Sequence, residues 1–82
     1  MKLNKKERAF CEIMMEGYMA RDPSGLLCVY EHMPVRSTTR LKWERSNYYS
    51  EKITINDHYF KFIRWEDKPY SIEEMLKWEV EE

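Results

Sequence analysis

Two helix-start signals, one near each end of the chain, constrain the fold more than any other feature of the sequence. Asn4 and Glu7 have the spacing of a capping box, in which each side chain bonds to the backbone N–H of the other residue, and Ser71 and Glu74 repeat that spacing. The first signal predicts a helix over about residues 5–16. The second predicts a helix that begins directly after the serine.

A turn signal and several β-prone segments lie between these helix starts. In Asp22-Pro23-Ser24-Gly25, the Asp, Pro and Gly stand at the first, second and fourth positions that a type I turn favours. Segments rich in β-branched and aromatic residues flank this turn and recur further along the chain. The predicted strands cover residues 18–21, 26–33, 41–44, 48–55 and 59–65, with an exposed loop over 34–40.

The predicted order of helix, strands and helix is typical of the α+β class. We expect a small curled antiparallel β-sheet of about four to five strands with an N-terminal and a C-terminal helix, in a single domain over residues 1–82. Phe10, Ile13 and Met14 recur at helical intervals and should face the core. Alternation predicts two faces for the second strand, with Leu27 and Val29 on one and Cys28, Tyr30 and His32 on the other.

Basic and acidic residues are nearly equal in number over the whole chain, but they are distributed unevenly along the sequence. The 82 residues include 14 Lys and Arg and 15 Asp and Glu, a formal net charge of −1, which excludes a histone-like polycation and a uniformly acidic DNA mimic. Residues 1–65 hold twelve basic and eight acidic groups, a balance of +4, whereas residues 66–82 hold two and seven, a balance of −5. Aromatic residues make up 15% of the chain, which argues against disorder.

The sequence shows no pattern of a metal, cofactor or catalytic site. Cys11, Cys28, His32 and His58 include only one close pair, whereas structural zinc needs paired ligands at both ends of its site. Glycine-rich phosphate loops and common hydrolase motifs are missing. We therefore expect no enzymatic activity, metal or cofactor. Two cysteines, no segment like a signal peptide and no long apolar run predict a cytoplasmic protein that does not bind membranes.

The acidic C-terminal region combines carboxylates with large aromatic side chains. Such combinations occur in interface hot spots, because the rings supply buried area and the charges supply orientation and association rate. We expect this region to bind a protein with a basic surface, with core filling as the competing interpretation for each tryptophan. The protein-binding candidates are Trp65, Glu66, Asp67, Glu73, Glu74, Trp78 and Glu79.

A basic and aromatic segment over residues 36–52 supports an alternative function. Cations bind phosphates and aromatic faces stack on bases, so this mixture suits single-stranded nucleic acid or RNA. Strand alternation offers a competing interpretation for Trp43, which would then lie in the core. The nucleic-acid-binding candidates are Arg36, Arg40, Lys42, Trp43, Arg45, Tyr48 and Tyr49.

Two stretches resemble segments of small uncharacterised proteins encoded by bacteriophages and prophages of Gram-positive bacteria. One is Ala-Arg-Asp-Pro-Ser-Gly-Leu-Leu-Cys-Val-Tyr-Glu over residues 20–31. The other is Phe-x-Phe-Ile-x-Trp-Glu-Asp followed by Pro-x-Ser-Ile-Glu over residues 60–73. Lys68 alone separates the Asp from the Pro, where the relatives have two residues, so this turn should be tighter here.

That family has no assigned function, so the resemblance implies a biological setting and no site residues. Short accessory proteins of phages commonly bind a host or defence protein, and some are anti-CRISPR inhibitors. The resemblance thus implies a non-catalytic binder of a host or defence macromolecule in the bacterial cytoplasm. A small nucleic-acid-binding module is the alternative, and the oligomeric state is open.

Overall fold

The computed structural model describes residues 1–81, and Glu82 lies outside this range. Two helices and several short strands give the α+β class that the sequence predicts. No helix within residues 1–81 is long and apolar enough to cross a bilayer. In chain order the elements are β1 Lys2–Leu3, α1 Lys5–Met14, β2 Tyr18–Arg21, β3 Leu27–Tyr30, β4 Val35–Ser37, β5 Lys42–Glu44, β6 Lys52–Ile55, β7 Tyr70–Ser71, α2 Ile72–Met75 and β8 Glu79–Val80.

A four-stranded antiparallel sheet with the order β6-β3-β2-β7 forms the centre of the fold. β3 pairs with β2 on one side and with β6 on the other, so Cys28 lies opposite both Ala20 and Thr54. The predicted turn joins β2 to β3, and the Gly25 N–H donates to the Asp22 carbonyl at 2.9 Å. Two smaller sheets complete the fold. β1 pairs with β8 in parallel orientation, and β4 pairs with β5 in antiparallel orientation.

The capping box at Asn4 starts α1 as predicted. The Glu7 N–H donates to Asn4 Oδ1 at 2.8 Å, and the Asn4 N–H donates to Glu7 Oε1 at 2.9 Å. The other oxygen of Glu7 accepts the N–H of Phe60, 53 residues along the chain. The helix ends at Met14, earlier than predicted, because Met15 leaves the helical conformation with a φ of 67°.

Gly17 follows α1 at a position that favours glycine. Its φ is 117°, and a Cβ atom there would lie 3.0 Å from the carbonyl oxygen of Tyr30. Its own carbonyl accepts the Ile72 N–H at 2.9 Å, which fixes the start of α2 beside β2. Ser71 Oγ accepts the Glu74 N–H at 3.4 Å, so α2 starts at the predicted residue although it spans only four residues.

Two hydrophobic clusters pack against opposite faces of β3. Because both faces are covered, all four residues of this strand are buried, and the alternation predicted for Leu27 to Tyr30 is confirmed. His32 lies beyond the strand and is exposed. The large cluster contains Leu3, Cys11, Met19, Leu27, Val29, Phe60, Ile63, Ile72 and Met75. The small cluster contains Ala20, Cys28, Tyr30 and Trp43.

The buried stripe predicted for α1 is only partly correct. Phe10 and Met14 are half-buried against the large cluster, but Ile13 is 79% exposed. Glu7 and Cys11, about one turn apart, are the buried residues of this helix. The bond from Phe60 to the Glu7 carboxylate turns that side of α1 inward, which leaves Ile13 in solvent.

Residues 59–65 do not form the predicted strand but a series of turns. The Ile63 N–H donates to the Phe60 carbonyl at 3.0 Å, and Phe60 has a φ of 54°. The Arg21 guanidinium donates to the carbonyl oxygens of Tyr59, Phe60 and Ile63 at 3.1, 3.1 and 2.8 Å. Carbonyls that converge on one cation cannot alternate as a strand requires, so this distant contact overrides local β propensity.

The loop predicted over 34–40 contains strand β4, and the strand predicted over 48–55 begins later than expected. β4 forms because β5 offers it an antiparallel partner. Ahead of β6, Asn47 Oδ1 accepts the Tyr49 N–H at 2.9 Å. This local side-chain turn bends the backbone and delays the strand.

Candidate functional site

The two tryptophans predicted as protein-binding anchors are both half-buried in aromatic clusters. The Trp65 ring packs edge-to-face on Trp43 with 5.7 Å between centroids. The Trp78 ring lies 5.5 Å from that of Phe62 and 5.9 Å from that of Tyr70. Each indole therefore contributes to packing and keeps part of its surface accessible.

Asp67, an acidic candidate, is half-buried and makes contacts within its own turn. Its Oδ2 accepts the Arg64 N–H at 3.0 Å and the Tyr70 hydroxyl at 3.4 Å. Burial raises the pKa of Tyr70, and the charge of Asp67 raises it further. This carboxylate helps to shape the turn before β7 and is only partly available to a partner.

Two other acidic candidates lie in exposed ion pairs. Glu74 Oε1 is 3.4 Å from Lys77 Nζ, and Glu79 Oε2 is 4.0 Å from Lys2 Nζ. Such pairs contribute at most about 1 kcal/mol, yet they offset the negative charge of this region. Within residues 1–81, the acidic candidates outside any side-chain ion pair are Glu66, Asp67 and Glu73.

A different set of carboxylates surrounds two adjoining cavities beyond the end of α1. The cavities have volumes of about 180 and 300 Å³ and share Glu16, Gly17 and Glu31 in their lining. Glu51 also lines the first cavity, and Glu73 lines the second. No Lys or Arg side chain among residues 1–81 lines either of them. We call this surface the acidic groove.

The glutamates of the acidic groove come from chain segments that are far apart in sequence. The Glu31 N–H donates to the Glu51 carbonyl at 2.9 Å, and the Glu51 N–H donates to Glu31 Oε1 at 3.3 Å, so these residues lie side by side. Glu16 follows the end of α1. The hydrogen bond that joins the start of α2 to the start of β2 brings Glu73 to the same surface.

The border of the acidic groove combines a histidine with apolar side chains, two of which are methionines. His32 Nδ1 lies 3.6 Å from Glu31 Oε1. Met14 and Ile53 line the first cavity, and Met33 lines the second. Methionine is unbranched and polarisable, so it adapts to partners of different shape. The groove can pack the alkyl stem of a lysine or arginine on these side chains while its carboxylates bind the cationic head.

The sequence interpretation identified Glu73 alone among these four carboxylates. Glu16, Glu31 and Glu51 lie in three separate segments and form no motif of fixed spacing. Knowledge that β3 pairs with β6 would have predicted that Glu31 and Glu51 lie together. However, these strands are not adjacent in sequence, so no turn signal predicts their pairing.

The small-cluster side of the sheet carries a second candidate surface, of opposite charge. Lys42, Arg45 and Lys52 line a cavity of about 370 Å³ together with Trp43 and Glu44. Three cations and one carboxylate give this cavity an excess of positive charge. We call it the basic cavity.

The tyrosines that contact the basic cavity or lie in the 36–52 segment differ sharply in exposure. The Lys52 ammonium lies 5.7 Å from the ring centre of Tyr30, whose hydroxyl donates to the Trp43 carbonyl at 3.3 Å. Burial raises the pKa of Tyr30. Tyr48 and Tyr49, in contrast, are 85% and 86% exposed. Their rings are accessible to a stacking ligand.

The interpretation of Trp43 as a base-stacking residue is wrong. Its ring is only 4% exposed because it fills the small cluster, and its Nε1–H donates to the Arg21 carbonyl at 3.1 Å. Arg40, predicted to bind phosphate, forms an ion pair with Glu44 at 2.9 Å. That pair reduces the charge that Arg40 offers to a ligand.

Arg36 is held between two tryptophans. Its guanidinium carbon lies 4.7 Å from the ring centre of Trp43 and 5.0 Å from that of Trp65. Its Nη2 donates to the carbonyl oxygens of Trp65 at 2.7 Å and Asp67 at 2.8 Å. These contacts give Arg36 a structural role that joins β4 to the turn before β7.

No family model matches the chain, and neither curated proteins nor solved structures match it. The resemblance to phage and prophage proteins therefore stays a prediction. Across residues 1–81, no group of three or more His, Cys, Asp or Glu side chains is arranged to hold a metal ion. The function has to be argued from the two surfaces described above.

Proposed function

We propose that this chain is a non-catalytic binding protein of the bacterial cytoplasm, and that its acidic groove takes a basic segment of a protein partner. The observation that supports this most is the lining of the two cavities, which includes four glutamates and no Lys or Arg among residues 1–81. A surface lined by one sign of charge attracts ligands of the opposite sign, so a basic segment is the complementary ligand. The proposal moves the predicted interface from the C-terminal region to the groove and keeps Glu73.

The chemistry of the groove and the resemblance support the partner class in different ways. Carboxylates beside methionines suit a segment in which Lys or Arg stands next to apolar residues. The resemblance to phage proteins implies a host or defence protein. A defence nuclease with a basic nucleic-acid channel, such as a CRISPR effector, is one partner of this kind, and a protein that blocks this channel would act as an anti-CRISPR-type inhibitor.

Inhibition of this type acts by occlusion and needs no chemical step. Carboxylates of the acidic groove engage cations that otherwise contact phosphates, and the apolar border supplies contact area. Long-range attraction between opposite charges raises the association rate. Binding should weaken as salt is added, because exposed charges are screened beyond about 8 Å at physiological ionic strength.

A charge-reversal comparison tests the groove. The first variant carries Glu16→Lys, Glu31→Lys and Glu73→Lys. The matched control makes the same net change at exposed glutamates outside the groove, namely Glu12, Glu66 and Glu79. Wild type and both variants serve as bait in lysate of the bacterial host, with and without nuclease treatment, and bound proteins are identified by mass spectrometry.

The expected result is one stoichiometric protein that the wild type and the control retain and the groove variant loses. Circular dichroism establishes that both variants keep the fold. Equal retention by the two variants would rule out the acidic groove as the binding site. Recovery that disappears after nuclease treatment would favour the second candidate function.

The second candidate is a nucleic-acid-binding module, and the basic cavity is the observation that favours it. Lys42, Arg45 and Lys52 converge on one cavity, and the exposed Tyr48 and Tyr49 belong to the same 36–52 segment. Lys52 is the last residue of that predicted basic segment. The cations suit phosphates, and the tyrosines suit unpaired bases.

Fluorescence anisotropy with a labelled single-stranded oligonucleotide tests this candidate. Replacing Lys42, Arg45 and Lys52 with Ala should weaken binding and lower the log–log salt slope by about 2, since each phosphate contact contributes about 0.7. The control replaces three exposed lysines elsewhere, namely Lys5, Lys6 and Lys61. Equal affinities for variant and control would argue against the basic cavity.

A further inference from the structure

One edge of the central sheet is open. Among the described residues 1–81, β6 pairs with β3 only. The bond from the Glu31 N–H to the Glu51 carbonyl sets the alternation, so Ile53 directs its backbone groups toward β3. Lys52 and Thr54 consequently direct theirs away from the sheet. An edge with such donors and acceptors is a template for another strand.

β6 has an exposed apolar side chain at one point and an apolar cavity two residues away. Ile53, which also lines the first cavity of the acidic groove, is 48% exposed. Ile55 lines a cavity of about 360 Å³ together with Phe10, Ile13 and Tyr59. We call this cavity the apolar groove. Since Ile13 is also largely exposed, the apolar groove opens to solvent beside the strand edge.

We propose that a second copy of this chain pairs with β6 in antiparallel orientation, around a two-fold axis at Thr54. Ile53 of each copy then lies opposite Ile55 of the other and packs at its apolar groove. Thr54 lies opposite Thr54 of the second copy, and these two residues exchange N–H···O bonds.

Self-complementarity identifies the second copy as the occupant. The protruding Ile53 and the apolar groove lie about 7 Å apart on one strand face. A two-fold rotation therefore places the Ile53 side chain of each copy at the apolar groove of the other copy. An unrelated strand could use the backbone groups of the edge but has no reason to fill both features. The two central sheets become one sheet, with both copies of α1 on the same side.

Sedimentation velocity of the full chain over a range of concentrations tests the proposal. The mass should rise from the monomer value of 10.2 kDa toward twice that value. Ile53→Lys places a charge in the interface and should raise the dimer dissociation constant by about tenfold or more. Val35→Lys, an exposed apolar position on β4, is the control and should leave the constant unchanged.

Amide hydrogen exchange of the wild type provides a readout that needs no variant. The Thr54 N–H faces solvent in the monomer and is bonded in the dimer, so its protection should grow with protein concentration. The Ile53 N–H faces β3 and should be protected throughout. A mass that stays at 10.2 kDa at the highest soluble concentration overturns the proposal. A dimer in which the Thr54 amide remains unprotected would also overturn the proposal.

Discussion

The two faces of the central sheet are stabilised in different ways. The large cluster joins both helices to β2 and β3, so its stability comes mainly from buried apolar area. The small cluster contains far fewer side chains and relies more on directional hydrogen bonds. One face of a sheet can thus be stabilised mainly by buried apolar area, while the opposite face depends more on hydrogen bonds of defined geometry.

Trp43 shows this dependence of the small cluster on hydrogen bonds. Its backbone N–H donates to Asp22 Oδ1 at 2.9 Å, and its indole N–H donates to the Arg21 carbonyl. Its carbonyl accepts from the Tyr30 hydroxyl. All the polar groups of one buried tryptophan are therefore paired, and the loss of one partner leaves a buried group unsatisfied.

Truncation in the large cluster should have the largest effect. Leu27→Ala is expected to lower the free energy of unfolding by about 2–5 kcal/mol, since the rigid surroundings cannot close the cavity. Leu41→Ala makes the same chemical change at an exposed position and should cost no more than about 0.5 kcal/mol. Urea unfolding followed by circular dichroism measures both. Similar losses for the two variants would contradict an area-based large cluster.

High pH should weaken the large cluster through Cys11. Burial raises the pKa of this thiol from 9.0 to about 11, with the charge of Glu7 as the next cause. The unfolded chain ionises the thiol from about pH 9, so stability should be constant below that pH and fall as pH rises to about 11. The fall is at most about 2–3 kcal/mol.

Cys11→Ala separates this effect from other titrations. Between about pH 9 and 11, its unfolding free energy should fall less than that of the wild type, when each is compared with its own value at pH 8. Tyr30 and Tyr70, whose pKa values are also raised, contribute to both proteins alike. If urea unfolding gives the same fall in unfolding free energy between pH 8 and pH 11 for both proteins, the thiol is not the cause.

Removing an acceptor tests the small cluster. Asp22→Ala leaves the Trp43 N–H without its partner and should cost about 1–3 kcal/mol. Asp22→Asn keeps an acceptor oxygen and a good turn residue, so it should cost clearly less. Urea unfolding compares the two variants. Equal losses would mean that the charge of Asp22 matters more than this hydrogen bond.

The Arg36 contact should have the smallest effect. Arg36→Lys keeps the charge but loses the planar group between Trp43 and Trp65, and should cost about 1 kcal/mol. Arg40→Lys, in an exposed ion pair, is the control and should cost about 0.5 kcal/mol or less. Thermal unfolding of both variants checks the order. A reversed order would refute the structural role of Arg36.

Features determined by neighbouring residues could be predicted from the sequence. The Asn4–Glu7 capping box forms because both partners lie within one helical turn. The turn starting at Asp22 and the alternation along β3 likewise depend on adjacent residues. These signals also gave the α+β class, because local patterns determine the order of helices and strands.

Features determined by distant contacts could not be predicted. Residues 59–65 have the composition of a strand, but the Arg21 side chain organises their carbonyls into turns. The acidic groove depends on the pairing of β3 with β6, and Ile13 is exposed because Glu7 binds Phe60. Each outcome depends on a partner 20 or more residues away, which single-sequence patterns do not identify.

The Arg21 contacts also have a consequence for folding kinetics. They join β2 to carbonyls 38 to 42 residues away, and the Glu7–Phe60 bond spans 53 residues. Closing such long loops costs chain entropy before any contact compensates for it, which slows folding. The β2–β3 hairpin, with its short turn, can form first and present the Arg21 guanidinium. The 59–63 segment should therefore become ordered late, after the hairpin has placed this cation.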